Sequence, residues 1–324
     1  MIRVVDLFSG CGGMSLGFAN AGFEVATAID NWDPAIEIYQ RNFSHPILKR
    51  DLLDVGARVP EIAALSPSMI IGGPPCQDFS SAGKRDEDGG RANLTVAFAD
   101  IVTQVGPTWF VMENVARASD SRAYARARSV FVNAGYGLTE AVLDASMCGV
   151  PQERKRFFVI GHLGGHDGEL LEMLHARMAR KQMTLRDYFG DSLGVEHYYR
   201  HPRSYKRRAV FSIDEPSPTI RGVNRPIPDG YPGHPGDTLP IQLVSRPLTT
   251  AERARVQTFP TDFVFCGSRA NVEQAIGNAV PVKLAEFVAR AVWESIHPSE
   301  GLEASHVFKG QMRLFEGASA KFNV

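Results

Sequence analysis

Cys76 stands in the segment Gly-Gly-Pro-Pro-Cys-Gln-Asp-Phe-Ser at 72–80, directly after the short apolar run 69–71. Such a run, ending at glycines and prolines, is typical of a buried strand followed by a loop. Ligands of open α/β sheets bind at the carboxyl ends of the strands, and two prolines restrict the backbone that carries the thiol. A lone cysteine is most often a small buried apolar residue. The placement of Cys76 instead favours a nucleophile held at a sheet edge.

Glu113 follows a second apolar run, 108–112, and is followed by Asn114 and Val115. Its carboxylate therefore also falls at the carboxyl end of a predicted strand, on the same edge as Cys76. Burying an unpaired carboxylate is costly, and acids with perturbed pKa values cluster at active sites. The pattern predicts a catalytic acid.

Gln152, Arg154 and Arg156 alternate along the chain just before the apolar run 157–161. Alternate residues of a strand share one face, so the three side chains are expected to point the same way. A basic cluster is usually a solvated face. Beside an active edge, this pattern favours a clamp for a phosphate or a carbonyl oxygen.

A glycine-rich turn, Phe-Ser-Gly-Cys-Gly-Gly at 8–13, connects a predicted strand to a helix around 14–20. Such turns let backbone amides approach a ligand at a helix N-terminus. The dinucleotide fingerprint requires glycine where this chain has Ser15, which argues against a nicotinamide or flavin enzyme.

Two acids follow the next predicted strands. Asp30 ends the strand 23–29, where an acid can accept hydrogen bonds from both ribose hydroxyls. A helix cap is the alternative, although Asp33 before Pro34 has that pattern itself. Asp51 follows a third strand near 45–48, and a surface turn is its alternative interpretation.

The composition limits which partners, compartments and metal sites are expected. The 324 residues carry 35 Lys and Arg against 36 Asp and Glu, so any nucleic-acid surface must be local. The apolar runs are shorter than the roughly 20 residues that span a bilayer, and the N-terminus lacks a signal-peptide pattern. The four cysteines form no C-x-x-C pair, which predicts neither zinc nor disulfides. The expected compartment is the cytoplasm.

Strands and helices alternate over 1–163, which predicts an α/β fold with a doubly wound, mostly parallel sheet. From 164 to 270 the chain is irregular and rich in turns. We predict that this region is a second, smaller domain, that 271–297 returns to the first domain, and that 298–324 is a tail without an assigned role.

Together these motifs resemble the DNA cytosine-5 methyltransferase family, of the bacterial restriction-modification type. Pro-Pro-Cys-Gln, Glu-Asn-Val and Gln-x-Arg-x-Arg occur in the family's order, and the matches run from Asp6 to Pro281. They include the segments 246–260 and 274–281. The resemblance implies a Rossmann-like methyltransferase fold, with the irregular region as target-recognition domain.

The resemblance also implies S-adenosylmethionine as cofactor. It would place Phe8 against the adenine, the glycine turn near the methionine part, Asp30 on the ribose and Asp51 at the adenine amino group. The full expected set is Phe8, Gly10, Gly12, Gly13, Asp30, Asn31, Trp32, Asp51, Leu52, Pro74, Asn278 and Val280.

The chemistry fits the same residues. Cytosine C5 is a poor nucleophile, so methylation needs a temporary adduct at C6, for which a Cys76 thiolate is suited. Charge then moves toward N3 and O2, where we expect Glu113 and Arg156, with Arg154 in support. Because these atoms are unreachable in a stacked duplex, the cytosine must be flipped out.

Contact with double-stranded DNA is expected from the irregular region, whose stretches 198–208 and 216–225 are rich in arginine. Arginines read guanine edges and bind phosphates, although a solvated insertion is the alternative. The expected DNA-contacting residues are Gln77, Ser80, Gln152, Arg203, Lys206, Arg207, Arg221 and Arg225.

Three alternatives remain. An RNA-directed relative acting on tRNA would share most motifs, but the Cys-Phe-Thr element of that branch is missing from the recognition region. An inactive relative would be expected to have lost Cys76 or Glu113. An oxidoreductase would leave the Pro-Pro-Cys loop unexplained. The expected location is the bacterial nucleoid within the cytoplasm, and a cognate restriction endonuclease is a possible functional partner. The target sequence, the existence of that endonuclease and the oligomeric state are not fixed by these patterns.

Overall fold

The computed structural model describes residues 2–75 and 93–298. The strands are β1 (Arg3–Leu7), β2 (Glu24–Asp30), β3 (Ile47–Lys49), β4 (Met69–Gly72), β5 (Trp109–Val115), β6 (Tyr136–Asp144), β7 (Gln152–Glu153), β8 (Lys155–Leu163), β9 (His197–Tyr199), β10 (Val210–Ser212) and β11 (Ser217–Pro218). The helices are α1 (Gly13–Asn20), α2 (Asp33–Asn42), α3 (Val55–Ala63), α4 (Asn93–Val105), α5 (Arg122–Asn133), α6 (Leu171–Arg177), α7 (Leu185–Phe189), α8 (Thr250–Val256), α9 (Arg269–Asn278) and α10 (Val282–Ile296).

The main sheet has the strand order β3-β2-β1-β4-β5-β8-β6. The first five strands in this order, β3, β2, β1, β4 and β5, are parallel. Strand β8 runs antiparallel to both of its neighbours, β5 and β6. The predicted doubly wound, mostly parallel sheet is confirmed. The connections change direction between β1 and β4, and ligands of such sheets bind beyond the strand ends at this point.

Helices cover both faces of the sheet. On one face α1 packs against α10, with Phe18 and Val288 in a common core. On the other face α4 and α5 bury Phe98 and Phe131. The parallel strands are buried on both sides, which is why they stand in the sequence as continuous apolar runs.

The region after β8 begins close to the sheet and then forms a smaller unit. Leu170 and Leu174, at α6, belong to the same core as α10. Further along, β9 pairs with β10 around a small cluster that includes Tyr199, Val210 and Tyr231. A short parallel pairing of β11 with β7, outside the main sheet, connects this region to the segment that leads into β8. The predicted domain boundaries stay predictions.

In 2–75 and 93–298, none of the helices combines the length and apolar character that crossing a bilayer requires.

Candidate active site

Two neighbouring strands bring opposite charges together at the carboxyl edge of the parallel sheet. Glu113 lies in β5 and Arg156 in β8; Arg156 Nε is 2.8 Å from Glu113 Oε1, and the side chains are 14% (Arg156) and 10% (Glu113) exposed. Burial raises the pKa of Glu113, while the charges of Arg156 and Arg154 oppose that shift. The pair offers a carboxyl group able to hold a proton beside a fixed cation.

The segment that leads to Cys76 lies next to this pair. A Cβ atom at Gly73 would stand 3.3 Å from Glu113 Oε2, so the backbone passes close to the carboxyl group. Asn114 Nδ2 donates to the carbonyl of Pro74 at 3.3 Å. Both contacts fix the chain just before Cys76, which itself lies outside the described residues, as do Gln77 and Ser80.

Arg154 is buried and links backbone segments that are far apart in the chain. Its side chain is 2% exposed and donates to three backbone carbonyls, those of Ile220, Gly277 and Ala279, at 3.0 to 3.1 Å. Two of its guanidinium nitrogens are engaged in this way, while the third, Nε, is buried without a partner among the described residues, so the group is not open to solvent. Its expected support of Arg156 is therefore confined to its charge, which acts on Glu113, and to the backbone segments that it holds.

Gln152 requires a correction. The side chain is fully buried, its Nε2 donates to Gln257 Oε1 at 2.6 Å, and its Oε1 accepts from Ile220 N at 2.8 Å. Both ends of the amide are thus engaged inside the protein. The predicted DNA contact of Gln152 is wrong, because residue type and strand alternation say nothing about a partner more than 60 residues away.

Asp30 ends β2 beside the glycine turn. Its carboxylate accepts hydrogen bonds from the backbone N–H groups of Gly10, Asn31 and Trp32, each at 2.8 Å. Burial raises the pKa of Asp30, and these three N–H groups oppose the shift. Asp30 therefore fixes the turn to the end of β2, where a ribose is expected.

The glycine turn packs tightly on the segment before α10. A Cβ atom at Gly13 would stand 2.2 Å from the carbonyl oxygen of Val280, and one at Gly12 would overlap the ring of Phe43. Gly12 also has a φ of 97°, which favours glycine. Only glycines allow this close approach.

Phe8 has a φ of 57°, an unusual conformation for a bulky residue. Asp6 is fully buried; Ser15 Oγ donates to one of its carboxylate oxygens at 2.5 Å, and the other oxygen has no partner within 2–75 and 93–298. Burial raises the pKa of Asp6 to about 7. Strain and unmatched polar atoms often mark ligand sites, so these residues fit a bound cofactor.

The remaining expected cofactor residues lie around the same edge. Asp51 is exposed just after β3 and accepts a hydrogen bond from Leu53 N, while Leu52 is buried. Asn278 is exposed at the end of α9, and Val280 is buried against the turn. The structure thus gathers the ends of β1, β2, β3 and β4 with the return segment 278–280.

Basic residues of the irregular region gather around Arg221. Burial lowers the pKa of Arg221, and the charges of Arg203, Arg225 and Arg207 lower it further. These three side chains are exposed, as is Lys206 in the same segment. A group of cations close enough to oppose each other's charge is suited to bind an anion such as a phosphate backbone.

The sequence matches the family described as C-5 cytosine-specific DNA methylase over residues 2–294. The chain belongs to this family. It is therefore an enzyme that methylates C5 of cytosine in DNA, and its site must accept a methyl donor and a DNA substrate. Among the residues that the structure describes, no group of three or more His, Cys, Asp or Glu side chains is arranged to hold a metal ion.

Full-length relatives support this assignment. The methylase is 58% identical to the type II methyltransferase M.HgiDI of Herpetosiphon aurantiacus over 90% of its own chain and 94% of the relative. It is 56% identical to the type II methyltransferase M.HindV of Haemophilus influenzae, over 90% and 96% of the two chains.

Solved structures share the fold of the methylase at low sequence identity. The S. pombe Dnmt2 methyltransferase aligns with a TM-score of 0.68 at 20% identity, over 91% of this chain and 99% of the other. The Entamoeba histolytica methyltransferase EhMeth aligns with a TM-score of 0.69 at 17% identity, over the same shares.

Sequence reasoning missed two polar residues of the methylase site. Asn114 stands in the Glu-Asn-Val motif, but its bond to Pro74 was not foreseen, and Gln257 received no role although it is fully buried. The available signal was the position of Gln257 near the end of the predicted helix, two residues before the aromatic-proline pair Phe259-Pro260. Its side-chain partners lie in two distant segments, at Gln152 and at 276–279.

Proposed function

We propose that the methylase transfers the methyl group of S-adenosylmethionine to a flipped-out cytosine within one short sequence of double-stranded DNA. The observation that carries this proposal is the buried Glu113–Arg156 pair beside the segment that leads to Cys76. A protonatable acid, a cation and a thiol are the three groups that activation of cytosine needs.

In this mechanism, the Cys76 thiolate adds to C6, and the electron pair of the C5–C6 double bond becomes available at C5. Glu113 donates its proton to N3, while Arg156 stabilises charge at O2. Bound S-adenosylmethionine supplies an electrophilic methyl group to C5. A base then removes the C5 proton, the electron pair of that C–H bond restores the C5–C6 double bond and expels the Cys76 thiolate, and N3 returns its proton to Glu113.

The cofactor would lie across the ends of β1, β2 and β3. Phe8 would contact the adenine, Asp30 the ribose and Asp51 the adenine amino group, with Gly10, Gly12 and Gly13 near the methionine part. Asn31, Trp32, Leu52, Pro74, Asn278 and Val280 would complete the pocket. The tight contact of Gly13 with Val280 supports this placement, because it brings the two ends of the chain together at one pocket.

DNA would lie along the basic cluster of Arg203, Lys206, Arg207, Arg221 and Arg225, with Gln77 and Ser80 near the flipped base. The names of the close relatives favour a restriction-modification system. We therefore propose a cognate endonuclease that cuts the same sequence when it is unmethylated, as a functional rather than a physical partner, and action at the bacterial nucleoid in the cytoplasm.

The test is base-resolution methylation mapping of DNA from cells that express the methylase or its Cys76→Ser variant. We expect 5-methylcytosine in one short sequence context with the intact protein and none with the variant. The purified variant should bind S-adenosylmethionine within about threefold of the intact protein, because the thiol lies outside the proposed cofactor contacts. Methylation by the variant would refute the role of Cys76, and unmodified DNA with the intact protein would refute the proposed substrate.

A further inference from the structure

Two buried glutamines face each other at the junction of the irregular region with the sheet. Gln152 Nε2 donates to Gln257 Oε1 at 2.6 Å, and both side chains are fully buried. Gln152 Oε1 accepts from Ile220 N at 2.8 Å, while Gln257 Nε2 donates to the carbonyls of Ile276 and Ala279 at 2.6 and 3.0 Å. The two amides together therefore link the backbone at Ile220 to the backbone at 276–279.

The outer ends of this pair lead to the two proposed binding surfaces. Ile220 directly precedes Arg221, the centre of the basic cluster. Ala279 stands between Asn278 and Val280, both expected at the cofactor, and the Val280 carbonyl packs on Gly13. A continuous set of bonds and contacts thus runs from the DNA side to the cofactor side.

The same junction is reinforced from its flanks. Arg154 donates to the carbonyls of Ile220, Gly277 and Ala279. Gly277 packs closely on Gly222: a Cβ atom at Gly277 would stand 2.2 Å from the backbone nitrogen of Gly222. These contacts leave the segments around 220 and 277–279 little freedom to move independently.

The backbone at Gln257 is held as well. Its carbonyl accepts from Val282 N at 3.1 Å, and the following residue, Thr258, has a φ of 61°. A β-branched residue persists in that conformation only where its surroundings impose it. The Gln257 side chain is therefore held in place at its own backbone as well as at its amide.

We propose that Gln152 and Gln257 are positioning residues that couple binding of the cofactor to binding of DNA. Moving Ile220 away from Ala279 would leave buried amide groups unpaired, which is unfavourable. A ligand that fixes one segment therefore reduces the cost of fixing the other, so each ligand strengthens binding of the second. This inference rests on the proposed function, since it needs both ligands.

The test compares Gln152→Met and Gln257→Met, which keep the approximate side-chain volume and remove the hydrogen bonds. Asn42→Leu is the matched control: Asn42 is also buried, donates to the carbonyls of Ile38 and Val264, and accepts from Val264 N, but lies off this path. The dissociation constant of S-adenosylhomocysteine is measured with and without a short duplex that carries the mapped target.

We expect the duplex to strengthen binding of S-adenosylhomocysteine by at least about fivefold in the intact protein and in Asn42→Leu. In both glutamine variants the factor should fall below about twofold, with each ligand alone still bound. If the intact protein binds neither ligand, the proposed function fails and the coupling with it. Binding of both without mutual effect, or a factor unchanged in the glutamine variants, overturns the coupling alone.

Hydrogen exchange of the intact protein gives a second readout that does not depend on the folding of any variant. S-adenosylhomocysteine alone should slow exchange of the amides in 219–222, and the duplex alone should slow exchange in 276–280. In each case the segment lies on the side of the other ligand: 219–222 on the DNA side and 276–280 on the cofactor side. Absence of both effects would overturn the coupling.

Discussion

The Glu113 carboxyl group is subject to opposing influences at the level of a single residue. Burial raises its pKa, and the neighbouring cations Arg156 and Arg154 lower it. A group that donates a proton to cytosine N3 must carry that proton when the base is bound. In the proposed mechanism Arg156 therefore has two effects: it would stabilise charge at O2, and its charge opposes the rise of the Glu113 pKa, which limits the pH range in which Glu113 is protonated.

Removal of Arg156 should separate these effects. In Arg156→Gln, loss of the cation raises the pKa of Glu113, so the fall in rate at high pH moves to higher pH. The maximal rate should drop by about 10²- to 10³-fold, because a charged partner of the base is lost. The measurement is the single-turnover rate of methyl transfer against pH, with saturating DNA.

Arg128→Gln is the control, since Arg128 of α5 pairs with Glu140 of the edge strand β6 and not with Glu113. It should leave both the rate and the pH profile unchanged. A high-pH limb that stays in place or moves to lower pH in Arg156→Gln would show that Glu113 is not the group that titrates.

Residue types alone indicated Glu113 and Arg156, because few reasons other than chemistry place an acid at the end of a buried strand. They predicted a DNA contact for Gln152, whose side chain is engaged inside the protein, and too direct a role in catalysis for Arg154. Both are polar and stand in an alternating pattern, as surface ligands would. Their burial depends on Ile220, Gln257 and the return segment, and no local pattern encodes contacts over such distances.

Among the elements, the glycine turn and α10 depend on each other. Gly13 opens α1, and its Cα lies so close to the Val280 carbonyl that even a methyl group would collide. The turn can keep its shape only if α10 packs on α1. The proposed cofactor pocket therefore depends on a contact between elements that are far apart in the chain.

Gly13→Ala should weaken binding of S-adenosylhomocysteine by about tenfold or more, because the turn or the Val280 carbonyl has to move. Titration calorimetry measures the affinity, and thermal unfolding reports stability. Gly56→Ala in α3 is the control, since a Cβ atom there meets nothing within 4 Å. It should be neutral or stabilising by up to about 1 kcal/mol. Equal affinities for both variants would show that the turn adapts without cost.

Most elements of the sheet could be predicted within a few residues. The apolar run at β4 ends at Gly-Gly-Pro, which is a clear boundary, whereas β5 continues through Glu113 and Asn114 to Val115. The direction of β8 could not be predicted, since a buried antiparallel strand has the same apolar pattern as a parallel one. The conformation of Phe8 was also hidden, because tertiary contacts impose it.

For the whole molecule, the distribution of charge matters more than its sum. The net charge is −1, yet Arg203, Arg207, Arg221 and Arg225 lie near enough to affect one another. Attraction for DNA should therefore be confined to one surface. Composition predicted this much, but only the fold brings 203–207 and 221–225 together.

Replacement of one exposed member of the cluster should lower the salt dependence of DNA binding. In Arg207→Gln, the slope of log K against log salt should decrease by about 0.9, the value for one lost phosphate contact. Fluorescence anisotropy over a range of salt concentrations measures it. Arg3→Gln, at the opposite end of the strands, should leave the slope unchanged. An unchanged slope in Arg207→Gln would remove this residue from the interface.

The packing of α10 on α1 also has a consequence during synthesis. The turn at 8–13 is synthesised long before Val280 and α10, which pack against it and against α1. A nascent chain can expose its basic cluster while its cofactor pocket is still incomplete. Translation must therefore pass residue 296 before the enzyme can methylate DNA, and truncated products should bind DNA without methylating it.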